Sequence, residues 1–62
     1  MIFFGENGKA GTQTELMADS SSDVANLDTF TTDNNILPGS SCYVIDTGDL
    51  YILKSTGIWK KQ

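Results

Sequence analysis

Two tripeptides ending in Thr-Gly punctuate the most apolar stretch of this chain, and they restrict what that stretch can fold into. Asp46-Thr47-Gly48 and Ser55-Thr56-Gly57 each follow a run rich in β-branched and aromatic residues, Cys42 to Asp46 and Asp49 to Lys54. Such runs favour strands. A three-residue loop built on a type I turn ends with a residue in the left-handed region, where a Cβ is penalised and Gly is not. The spacing therefore predicts a three-stranded antiparallel meander over 42–45, 49–54 and 58–61. The turn residues are Asp46, Thr47, Gly48, Ser55, Thr56 and Gly57.

With those loops, Ile45 opposes Asp49, Val44 opposes Leu50, Tyr43 opposes Tyr51, and Leu53 opposes Trp59. One face then carries Tyr43, Ile45, Tyr51, Leu53 and Trp59, and the other Cys42, Val44, Leu50, Ile52 and Ile58. A sheet with one wet side alternates apolar and polar residues, whereas both faces are apolar here. One face is expected to pack internally. The other, taken as the aromatic set Tyr43, Ile45, Tyr51, Leu53 and Trp59, is the expected interface with further copies or a partner, since a lone monomer rarely exposes such a patch.

Residues 5–40 have a different texture, dominated by Gly, Ser, Thr, Asn and Asp with scattered apolar residues. Ile2-Phe3-Phe4 before Gly5-Glu6-Asn7-Gly8 reads as a short strand and a turn. Thr12 with Glu15 has capping-box spacing, but the apolar stripe Leu16-Met17-Ala18 lasts barely one turn. Val24 to Phe30 alternates enough for a short strand. The expectation is a mainly β chain, with an extended, largely irregular N-terminal arm over 1–36 and a β-meander module over 37–62.

At 62 residues the chain has room for one small domain, which buries only about 60% of its unfolded surface and is marginal alone. Its single cysteine and lack of histidine offer neither a disulfide nor a zinc site, so stability is expected to come from assembly. No cofactor or metal is expected. The net charge of −4 is unevenly placed. Residues 1–49 hold all eight acids and only Lys9, while 50–62 hold Lys54, Lys60 and Lys61. That balance lacks the basic footprint of a nucleic-acid binder and suits contacts between copies. No segment approaches the roughly 18 apolar residues of a membrane span. Met1-Ile2-Phe3-Phe4 also lacks the basic and long apolar regions of a secretion signal, so cytoplasmic assembly is expected. Cys42, within an apolar run, reads as a small buried hydrophobe.

Three chemical readings have a foothold. Val44-Ile45-Asp46-Thr47-Gly48 has the Asp-Thr-Gly signature of aspartic proteases, in which two carboxylates share a proton, but the chain offers little material for a cleft and flap. Asp46 and Asp49 lack the remaining positions of a calcium loop. Tyr43, Tyr51 and Trp59 on one face would suit stacking on sugars or bases.

The stretch Leu37-Pro38-Gly39-Ser40-Ser41-Cys42-Tyr43-Val44-Ile45-Asp46-Thr47-Gly48-Asp49-Leu50-Tyr51-Ile52-Leu53-Lys54-Ser55-Thr56-Gly57-Ile58-Trp59 resembles the C-terminal module of small virion proteins of tailed phages and prophages of Gram-positive bacteria. The shared elements are a Pro-Gly-Ser approach, an Asp-Thr-Gly turn, a Tyr-bearing strand and a final Gly-x-Trp before a charged tail. The resemblance covers residues 37–61. It implies a non-enzymatic structural protein of the virion, a capsid decoration or head-fibre protein assembled in the host cytoplasm. The implied partners are copies of itself, with a trimer suggested by fibre modules, and other virion proteins such as the capsid; no nucleic acid and no membrane are involved. The alternatives are a tail-fibre or host-surface carbohydrate-binding module, an aspartyl peptidase, or a regulatory phage protein that binds a host factor.

Overall fold

The computed structural model describes all 62 residues and is mainly β: one five-stranded sheet with a short helical layer on one side. The strands are β1 (Ile2–Phe4), β2 (Glu15–Ala18), β3 (Ser41–Val44), β4 (Asp49–Leu53) and β5 (Trp59–Lys61), in that spatial order. Three neighbouring pairs are antiparallel and β2 with β3 is parallel, so the sheet is mixed. A parallel pair cannot be closed by a hairpin and needs a crossover. Here the crossover is a 3-10 helix (Ser21–Asn26) running into α1 (Leu27–Asn34).

The expected extended arm is thus corrected: residues 1–36 supply two strands and both helical segments. The apolar residues that looked scattered are the reason. Leu16 and Ala18 alternate with Glu15 and Met17 along β2, and both are fully buried. Val24, Leu27 and Phe30 recur at helical spacing and turn toward the same core. The short strand expected over Val24 to Phe30 is therefore helical. Ser20 and Asp23 start it reciprocally, the Ser20 N–H donating to the Asp23 carboxylate at 3.2 Å and the Asp23 N–H to the Ser20 carbonyl at 3.0 Å. Asn35, at φ 52°, ends α1, and the Ile36 N–H reaches back to the Thr31 carbonyl at 3.0 Å. Ile36 is delivered into the core.

The parallel pairing is held at its entrance by a buried polar side chain. Ser40 Oγ donates to the Leu37 carbonyl at 2.6 Å and accepts the Thr14 N–H at 2.8 Å, while the Ser41 N–H donates to the Thr14 carbonyl at 3.0 Å. Both capacities of the hydroxyl are used, as burial requires.

The C-terminal hairpins follow the sequence in kind and differ in one register. Leu53 opposes Trp59 around the Ser55-Thr56-Gly57 loop, and the Lys54 N–H donates to the Ile58 carbonyl at 2.9 Å. The first hairpin pairs Val44 with Asp49, Tyr43 with Leu50 and Cys42 with Tyr51, one residue away from the expected register. Its loop is the four residues Ile45 to Gly48, and the Gly48 N–H closes it onto the Val44 carbonyl at 2.8 Å. Ile45 is drawn out of the hairpin because its N–H donates to the Ala18 carbonyl of β2 at 2.8 Å. A one-residue shift exchanges the faces of a strand. It brings the small Cys42 and Val44, rather than Tyr43 and Ile45, under the helix.

Gly48 and Gly57 stand at φ 76° and 87°. A Cβ at Gly57 would meet no atom within 4 Å, so a substitution there is penalised through the backbone alone. Gly48→Val and Gly57→Val should each lower unfolding stability by about 1–2 kcal/mol, whereas Gly57→Asn, whose residue tolerates the left-handed region, should retain most of it; chemical denaturation of the three variants checks this.

Candidate functional site

Strand alternation sorts the side chains into two faces of different character. The covered face is built from Leu16, Ala18, Cys42, Val44 and Leu53, all buried, with Ile2, Phe4, Tyr51 and Trp59 packed around them. Leu27, Phe30 and Ile36 close it from above. The Phe4 and Phe30 rings meet at 5.5 Å with a 57° tilt, and the Trp59 indole N–H donates to Thr31 Oγ1 at 2.9 Å. Thr31 Oγ1 in turn donates to the Leu27 carbonyl at 2.6 Å, so the indole is fixed to the helix.

The opposite face has no layer over it. Phe3, Met17, Tyr43 and Leu50 are successive cross-strand partners on β1, β2, β3 and β4, forming one apolar row across the sheet. Tyr43 is 42% and Leu50 39% exposed. A second row, Glu15, Ser41, Ile52 and Lys60, runs beside it from β2 to β5. Ile45, just beyond β3, is 48% exposed, and Ile58, just before β5, is 60% exposed. Removing such apolar surface from water is favourable by roughly 25 cal/mol per Å².

The expected interface set is therefore divided. Tyr43 and Ile45 belong to the open side, while Leu53 is buried and Tyr51 and Trp59 pack against the core under the helix. A three-ring platform of Tyr43, Tyr51 and Trp59 is not assembled, since the rings lie on two faces. Phe3 and Met17 are the open-face residues that the sequence did not single out. Their signal was the alternation in Ile2-Phe3-Phe4 and in Glu15 to Ala18, which becomes informative only once the two segments pair.

The turn carboxylates are committed elsewhere or solvated. Asp46 lies exposed in the Ile45–Gly48 loop. Asp49 Oδ2 accepts the Thr47 hydroxyl at 2.9 Å and lies 3.4 Å from Lys61 Nζ. No group of three or more Cys, Asp or Glu side chains is arranged to hold a metal ion. An open groove of about 350 Å³ runs between the start of β1 and α1, with Asp23 and Asp33 among its lining residues. Asp23 is engaged by the Met1 amino group, whose hydrogen bond, with that of the Ser20 N–H, holds its carboxyl below the usual carboxylate range.

No protein-family model, curated protein or solved structure matches this chain. What the open face does is then read from its own chemistry. Its polar groups are the Glu15 carboxylate, the Ser41 and Tyr43 hydroxyls and the Lys60 amine, spread over four strands. The face is mainly apolar, with one acid, Glu15, and one base, Lys60, at the two ends of its second row.

Cys42 is enclosed, and burial, with the negative charge of Asp23 adding, pushes its thiol up to about 11. A thiol raised from 9 to about 11 on folding stays protonated where the unfolded chain has already ionised. The stability tied to this thiol is therefore complete below pH 9 and is lost progressively as pH rises toward 11. Denaturation midpoints should fall more steeply across this interval for the parent chain than for Cys42→Ala, and iodoacetamide at pH 8 should label Cys42 only as fast as the chain unfolds.

Proposed function

We propose that this chain is a non-enzymatic structural component of a tailed-phage virion, a capsid decoration or head-fibre protein that works through subunit contacts. The observation that carries this reading is the uncovered apolar row Phe3, Met17, Tyr43 and Leu50 on a sheet whose other face is fully used by the core. These 62 residues build one helical layer over the sheet, and none of them lies over the open face. Neighbours in an assembly supply the second layer, which is the economy expected of a small particle protein. The resemblance of residues 37–61 to virion modules of Gram-positive phages gives the particle its kind. Hairpin turns at Gly48 and Gly57, with the Tyr-bearing strand between them, form the part of the sheet that such modules share.

The test is whether the chain is in the particle and whether the open face puts it there. Mass spectrometry of density-gradient-purified particles should find it at fixed stoichiometry. Tyr43→Lys combined with Leu50→Glu alters exposed positions only, so circular dichroism and folding should be near those of the parent, with each change within about 0.5 kcal/mol. Incorporation should be lost. Particles that lack the parent chain, or that take up the folded double variant as readily as the parent, would contradict the proposal.

A further inference from the structure

We infer that the open face pairs with the same face of a second copy, turned over about a two-fold axis that runs along the strands between β3 and β4. This rests on the reading of the chain as one that works by subunit contacts, and names the first of those contacts. The argument comes from the order of residues across the sheet. The row Glu15, Ser41, Ile52, Lys60 follows four consecutive strands and reads acid, small, apolar, base. Neither Glu15 nor Lys60 has an ion pair within the chain, the only such pairs being those of the Met1 amino group and of Lys61 with Asp49.

A two-fold axis between β3 and β4 exchanges β2 with β5 and β3 with β4. Glu15 then stands over Lys60 of the partner subunit, and by symmetry this ion pair is made twice. Tyr43 covers Leu50 of the partner subunit, also twice, and the small Ser41 leaves room for Ile52 of the partner subunit. A contact of this isologous kind must be complementary to itself, and opposite charges equidistant from one line in the sheet meet that requirement. An axis placed on β3 instead sets Glu15 over an isoleucine and leaves both charges unpaired, so charge selects the register. Strands of two sheets packed face to face stay within about 30° of one another, with the sheets about 10 Å apart, a gap that a glutamate and a lysine span together.

Within the monomer the Glu15 carboxylate rests over Gly5, where a Cβ would lie 2.1 Å from Oε1; it is the far end of a flexible side chain and can swing off the sheet toward the partner subunit. Charges at the ends of an apolar contact confer specificity and register.

Sedimentation equilibrium of the full chain should show a monomer–dimer equilibrium. Glu15→Lys alone and Lys60→Glu alone each convert two attractive pairs into two repulsive ones and should weaken dimerisation at least tenfold with unchanged circular dichroism. The combined variant Glu15→Lys/Lys60→Glu should return to within about threefold of the parent. Carbodiimide treatment of an equal mixture of unlabelled and nitrogen-15-labelled chains should yield a Glu15–Lys60 cross-link of mixed isotope. A chain that is monomeric at millimolar concentration, a trimer, a combined variant without rescue, or cross-links only within one isotope overturns the dimer. If such a chain is still found in purified particles, the structural role survives while this pairing does not; a dimer absent from particles has the opposite meaning.

Discussion

Val44 faces Asp49 across the first hairpin, and the character of both sides of the sheet follows from that pairing. Under it Cys42 and Val44 share a side with Tyr51, Leu53 and Trp59, and the helix can settle onto small residues in the central strand. Close packing makes this choice costly to reverse. With Tyr43 and Ile45 beneath α1, two large side chains would occupy the volume now shared by Leu27, Phe30 and Ile36. The register that accommodates the helix also turns Tyr43 outward beside Leu50. The core and the open apolar face are thus two results of one geometric decision.

The same decision depends on β2. Its parallel pairing with β3 draws the Ile45 N–H to Ala18 and forces the longer loop, while Ser40 anchors the opposite end to Thr14. A parallel strand needs a crossover, and the crossover here is built from a sequence with three threonines and two aspartates in eight residues. Those residue types are poor helix formers, and a helix this short is unstable alone. Packing holds α1 together, through Leu27 and Phe30 against the sheet and the Thr31 hydroxyl on the indole of Trp59. The helix and the sheet are therefore expected to form cooperatively.

How much of this could be read from the residues divides along the range of the interactions. The Ser55-Thr56-Gly57 hairpin was legible down to the pairing of Leu53 with Trp59, because turn and strands are local. The Asp46-Thr47-Gly48 hairpin was legible in kind but one residue off, since a loop of three or four residues both end in a left-handed Gly and the deciding hydrogen bond comes from β2. The N-terminal half was legible only at Ile2-Phe3-Phe4. Leu16 and Ala18 look isolated among polar residues until β3 lies beside them, and Val24, Leu27 and Phe30 fit a short strand or a helix almost equally. Of the five residues expected at an interface, Tyr43 and Ile45 lie on the open side beside Phe3 and Met17, whereas Tyr51, Leu53 and Trp59 lie on the covered side.

The sheet is covered on one side and apolar on the other, and both sides follow from the register of β3. The Leu53 N–H donates to the Ser40 carbonyl at 2.9 Å just beyond β3, so the alternation of an antiparallel ladder makes Tyr43 and Leu50 a non-hydrogen-bonded pair with close Cα atoms. Nuclear Overhauser spectroscopy should show a strong contact between the α-protons of Tyr43 and Leu50. Strong α-proton contacts that instead place Val44 opposite Leu50 or Tyr43 opposite Tyr51 would return Tyr43 to the side of Tyr51 and Trp59, and the open face described here would not exist.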